Sequence, residues 1–441
     1  MRFLSMGKTR GMLSAALLAG VAVGALGTAA PAAAQKKAAA PKAAKTGYSK
    51  EFVAVAAPLQ AKVAAIQAAK AKGPAGQAEL DAAIVGAPQM FAAAEAAVQN
   101  NDDRLALGQL AINLGGYIND IAMRQRGAKM VLDSGKLDPA KVADVQFYHG
   151  NFAYSNKDYA TAATALAAAI NAGYAAPEAG ELMADAYAKM GQPAQGLAAL
   201  KRIVDAKRAA GQPVPEAWLR RANVIAYNAK LPAESMDWAL TQVQLYPSKF
   251  NWLGSAQLVR RFGNYGPNET IDLFRLMMRS GAFDNDPKLL GNEFKEYVEA
   301  ADPRRLPGEV VRVLDKGVQV GALSNSTAWV RDYRSLASGR MTADRASLPA
   351  APTAASNGLT LLSTGDAWLN YGEAARAEAF FNAALGKGGV DKDRVLTRLG
   401  IAQYDQGNFA AAKATFAQVS GARTPLARLW LALLATKGAT A

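Results

Sequence analysis

No cysteine and only one histidine, His149, occur among the 441 residues. Without cysteine there are no disulfides, thiolate metal sites or thiol redox chemistry, so stability must come from packing. A lone imidazole does not make a metal site, and none is expected. His149 precedes Gly150 at a position that reads as facing a helical core, so it is taken as a packing residue. Strand-like alternation is missing from every long stretch, which points to an all-α chain. Charged residues make up 20% against 51% hydrophobic, too apolar a balance for a disordered chain. A phosphate loop is also lacking: "LGKGGVDKDR" has glycines and lysines but not the G-x-x-x-x-G-K-S/T spacing, and reads as a helix-ending turn.

What is present begins with "MRFLSMGKTRGMLSAALLAGVAVGALGTAAPAAAQ". Arg2, Lys8 and Arg10 precede an apolar run that ends in Ala32-Ala33-Ala34, the layout of a secretory signal peptide cleaved near Ala34/Gln35. Residues 1–34 are thus the expected signal, and the location is expected to be periplasmic or secreted, in a bacterial cell envelope. The rival reading keeps the run from Gly11 to Ala30 as a membrane anchor. Residues 35–47 read as a Lys/Ala/Pro-rich flexible leader, whose Lys36, Lys37, Lys42 and Lys45 suggest at most weak contact with anionic envelope polymers or lipids. The formal net charge of +14 includes three charges on the signal, leaving +11. Nucleic acid is not an expected partner, since the basic residues are not organised around stacking aromatics.

The rest is repetitive. In "VLTRLGIAQYDQGNFAAAKATF", Leu396, Leu399, Gly400 and Gln403 are spaced as on a helix, Gln406-Gly407-Asn408 interrupts, and Ala412 and Phe416 resume. "LLSTGDAWLNYGEAARAEAFFNAAL" matches it 35 residues upstream, Gly365 aligning with Gly400 and Phe381 with Phe416. Gly150 and Ala184 are 34 apart, as are Ala222 and Ala256, with Trp218, Trp238 and Trp252 in the same series. Such a period signals stacked helical hairpins, because one hairpin cannot bury its apolar face alone. Small residues at the crossing let the two backbones approach.

These segments resemble tetratricopeptide repeats (TPRs), with the clearest match over 105–280 and again after 358. The resemblance implies an α-solenoid of helical hairpins wound as a right-handed superhelix, with a separate C-terminal repeat pair. The expected organisation is a helical array over 48–340, a linker at 341–357 rich in Ala, Ser, Thr and Pro, and C-terminal repeats with a capping helix at 358–441. Residues 285–340 show helical periodicity without the repeat markers. Two Ala-rich helices broken at Gly73–Gly76 open the array, and the final helix carries Leu426, Leu429, Trp430 and Leu433 on one face, suited to capping or to a membrane or partner contact.

In TPR proteins the first helices of the hairpins contribute most ligand contacts. Carrying those slots over gives Phe147, Asn151, Tyr154, Glu181, Asp185, Leu219, Asn223, Tyr227, Gln257, Arg260 and Arg261, with Phe250 and Leu253 beside them. The tryptophans fall on packing positions. Glu293, Glu296 and Glu299 share a helix side and read as a solvated face, while Asp286 before Pro287 reads as a helix cap. No catalytic group and no cofactor is expected. The resemblance implies a scaffold that binds protein or peptide partners in the envelope. The alternative is an envelope protein acting on or associated with peptidoglycan, of which a superhelix would be the non-catalytic part.

Overall fold

A computed structural model describes residues 47–290 and 292–438; the expected signal and nearly all of the leader lie outside the described residues. Among the described residues there are 22 α-helices and no strand. Within each compact part of the chain most successive helices pack on one another in chain order, as in an all-α solenoid. The chain divides into two compact units, one ending at Gly211 and one beginning at Gln212.

The first unit contains α1 (Lys50–Ala71), α2 (Gln77–Ile84), α3 (Ala87–Ala96), α4 (Asn101–Tyr117), α5 (Ile121–Asp133), α6 (Val142–Ser155), α7 (Tyr159–Asn171), α8 (Glu178–Lys189) and α9 (Pro193–Ala209). The second Ala-rich opening helix is in fact two, α2 and α3, because Gly86 adopts φ +77° and breaks it. The start of α1 is fixed by a long-range contact. Fully buried Asp103 on α4 accepts from the Ser49 amide at 3.0 Å, the Ser49 hydroxyl at 2.7 Å and the Gln99 amide at 3.1 Å. Three donors satisfy a carboxylate that would otherwise be a buried, unpaired charge.

The second unit contains α10 (Glu216–Asn228), α11 (Pro232–Leu245), α12 (Lys249–Gly263), α13 (Pro267–Arg279), α14 (Pro287–Leu290), α15 (Glu293–Ala301), α16 (Pro307–Gln319), α17 (Ala328–Ser347), α18 (Gly358–Asn370), α19 (Ala374–Lys387), α20 (Lys392–Asp405), α21 (Phe409–Phe416) and α22 (Thr424–Gly438). The stretch without repeat markers is helical, as expected. The C-terminal hairpins do not stand apart from the rest. α20 and α22 pack back on α13, and α22 also meets α11 and α12, within one continuous core. Leu426, Leu429, Trp430 and Leu433 are buried in that core, so the apolar face of the last helix is covered by the chain itself.

The expected linker is not a spacer either. α17 continues through its first seven residues, because Met341 to Ser347 contain no helix breaker before Pro349. The remainder is held against the next hairpin: the Pro349 carbonyl accepts from the Trp368 indole at 3.0 Å, and the Ala354 carbonyl from Lys387 at 2.8 Å.

A buried ion network ties these helices together. Asp272 on α13 is fully buried and is met by Arg275 at 3.1 Å, Arg398 of α20 at 3.2 Å and Arg423, just before α22, at 2.8 Å. Arg275 also forks onto Glu309 of α16 at 2.8 and 2.7 Å, and Arg398 pairs with Asp366 of α18. Burial works to raise the Asp272 pKa, but the three guanidiniums prevail and lower it. Glu309 is treated the same way, with Arg275 outweighing burial and holding it at about 2.

The repeat glycines do what their spacing predicts. A Cβ on Gly400 would lie 2.7 Å from the Phe416 ring, and one on Gly365 would lie 2.5 Å from Phe381. Phe416 cannot give way, being fully buried and stacked on Trp430 at 5.2 Å. Gly254, inside α12, has nothing within 4 Å of such a Cβ. Gly400→Ala should therefore destabilise the protein by about 1–3 kcal/mol. Gly254→Ala should stabilise it by roughly 0.5–1 kcal/mol. Denaturant titration of both variants checks the opposite signs.

Candidate functional site

The expected groove residues separate into three groups. Some are core residues. Phe147 is 7% exposed and stacks flat on Tyr174 with ring centroids 4.2 Å apart. Leu219 is fully buried, and Leu253 nearly so. Asn223 is buried and donates to Gln242, which donates to Asn251 at 2.9 Å, which donates to Glu216 at 3.0 Å. That amide chain stitches α10, α11 and α12 together, so Asn223 is a packing residue and not a backbone-binding one. The physical reason is phase: neighbouring helix positions differ by 100°, and packing sets which of them turns inward.

A second group is occupied structurally. Arg260 on α12 pairs with Glu293 at 2.7 Å and Glu296 at 2.6 Å, and lies over the Phe274 ring at 5.5 Å. Gln257 donates to the same Glu293 at 2.8 Å. Glu293 is buried beneath them, which corrects its reading as part of a solvated face. In the first unit, the Tyr154 hydroxyl of α6 donates to Asp185 of α8, with Asn151 and Glu181 half-buried on the same two helices.

The third group is exposed: Tyr227, 44% accessible, and Arg261. Around them the second unit offers a surface that sequence reasoning saw only in part. α10 and α12 lie side by side, joined near their N-termini by Asn251–Glu216 and near their C-termini by an edge contact between Tyr227 and Phe262 at 5.8 Å. Val224, three residues before Tyr227, is 45% exposed, and Phe250 is 57% exposed. Phe250, Gly254, Gln257 and Arg261 follow one side of α12 at helical spacing. A Cβ at Gly254 would meet open space there, and Arg220, one turn before Val224, and Arg261, one turn after Gln257, are exposed. Arg220 is paired with Glu216 at 2.9 Å. Val224 was missed because a valine on a helix reads as core; its position on the exposed side of Tyr227 is the signal that could have found it.

The surface holds aromatic and aliphatic side chains beside cations. It can take up an apolar side chain and an acidic group of a partner, and contains no nucleophile and base in contact. Among the described residues no group of three or more His, Asp or Glu side chains could hold a metal ion. Comparison with protein-family models found no match, and comparison with curated proteins found none.

His149 lies in the first unit, buried on α6, and its Nε2 has no hydrogen-bond partner. Burial depresses its pKa below 6.5; Lys129 acts in the same direction, while Asp133 and Asp158 oppose it. The folded chain therefore binds this proton less readily than the unfolded one. The associated stability is complete above pH 6.5 and is lost as pH falls below it. His149→Gln should flatten that limb of the stability profile, measured by denaturation between pH 7.5 and about 5.

Proposed function

We propose that this chain is an exported helical-repeat scaffold that binds a segment of a partner protein on the α10/α12 surface, without catalysis. The observation that supports this reading is the group of exposed apolar side chains Val224, Tyr227 and Phe250 in a unit whose other large apolar residues are mostly buried. Val224 and Tyr227 lie one turn apart on α10 and Phe250 lies toward the other end of the surface, on α12; exposed apolar residues with charge nearby mark interaction sites. Arg261 beside it favours a segment that carries an acidic residue next to its apolar anchors. Export rests on the sequence of residues 1–34, and the envelope is the compartment in which partners are to be sought.

A photo-crosslinking amino acid at Phe250 tests this in the native envelope, with the same residue at the exposed Val85 of the first unit as control. The expected result is a discrete adduct from position 250 and not from 85. Tyr227→Ala or Arg261→Glu should reduce it about tenfold, the loss typical of an anchor at an interface. Adducts of equal yield in the variants would contradict the reading. Arg260→Glu is unsuited to this test, since it would break the Glu293 and Glu296 pairs.

A further inference from the structure

The second unit also contains a cleft of about 620 Å³ that involves neither α10 nor α12. Its two walls are α13, through Met278 and Arg279, and α16, through Arg312, Val313 and Lys316. That volume falls within the range of about 300–1,000 Å³ found for small-molecule sites.

The polar groups at its base are already satisfied. Glu309 accepts from Arg275 through both oxygens and from the Tyr297 hydroxyl at 2.7 Å. What the cleft offers a ligand is apolar surface chiefly from the half-buried Met278, with Val313 and Leu369 almost fully buried behind it.

The mouth differs. Arg279 forks onto Asp405 at 2.5 Å, Lys316 pairs with Asp284, and Asp315 is taken by Arg334. Among the described residues, Arg312 alone of these charged groups meets no carboxylate at salt-bridge distance. One of its terminal nitrogens donates to the Asn370 carbonyl at 2.7 Å, at the end of α18. The other terminal nitrogen and Nε remain available, in the forked geometry that suits an anion. The Arg312 charge, which acts on Glu309 only at longer range, thus stands at the mouth beside the apolar side chain of Met278.

We propose that this cleft binds a small amphiphilic anion, with a singly charged head at Arg312 and a short apolar body against Met278 and the aliphatic stems of the cationic side chains that line the cleft. The head is a carboxylate or a phosphate ester, chemistries that the same guanidinium recognises. The site is independent of the partner-binding surface, and its failure would leave that reading untouched.

Isothermal titration calorimetry of the mature chain with octanoate, octyl phosphate and octylamine tests the proposal. At least one of the two anions should bind with a dissociation constant on the order of a millimolar or below. Octylamine should not bind. Preference for octanoate assigns a carboxylate head, and preference for octyl phosphate a phosphate head. Arg312→Gln should weaken the bound anion about tenfold or more. Met278→Trp, which fills the cleft from the opposite wall and leaves Arg312 intact, should weaken it as well. Thermal melts of both variants without ligand distinguish loss of the site from loss of the fold. Binding of octylamine as tight as that of the anions, no binding of either anion, or full affinity in folded Arg312→Gln would overturn the proposal.

Discussion

The second unit depends on one carboxylate. Asp272 has no solvent access, and a charge in that position is tolerable only because Arg275, Arg398 and Arg423 surround it. Two of those arginines lie 126 and 151 residues further along the chain. In a simple repeat array each hairpin meets its neighbours alone, and stability is close to a sum of nearest-neighbour terms. Here the network adds contacts that no such sum contains. Removing one partner would strand the others as buried charges, at a cost of about 3–5 kcal/mol. The network ties α20 and the start of α22 to α13 across the unit.

That closure decides which surfaces remain open. α22 carries Trp430, Leu426 and Leu429 inward against α11, α12 and α13, so the helix caps the core and its apolar face is not free for a membrane or partner. Among the apolar residues left outside, Val224, Tyr227 and Phe250 lie on exposed sides of α10 and α12, while Leu289, Leu359 and Phe409 stand exposed elsewhere in the unit. The cleft between α13 and α16 survives for a related reason. Its base is locked by Arg275, Glu309 and Tyr297, which keeps the two walls from collapsing onto each other.

Much of the fold was legible because it is local. The spacing of Gly365 with Phe381 and Gly400 with Phe416 encodes a backbone approach within a single hairpin, and the structure shows those contacts. Trp218, Trp238, Trp252 and Trp368 were read as packing residues and are buried. The site was less legible. Tyr227 and Arg261 are exposed, whereas Phe147, Leu219 and Asn223, taken from equivalent slots, are buried. Sequence periodicity gives the existence of a helix face but not its rotation toward neighbours, which tertiary packing sets. The Asp272 network was invisible, because nothing local relates Asp272 to Arg398 or Arg423. Glu293 illustrates the same limit: beside Glu296 it reads as a solvated charge, and only Arg260, 33 residues earlier, shows it to be a buried one.

Hydrogen exchange of the wild-type chain and of Asp272→Asn, followed by mass spectrometry, tests most directly whether that carboxylate unites the second unit. The wild-type amides in the cores of α13, α20 and α22 should open with a common free energy, and the substitution should accelerate exchange in all three together. Exchange of α18 to α22 as a separate, less protected block in the wild type, or acceleration confined to α13 in the variant, would contradict the account.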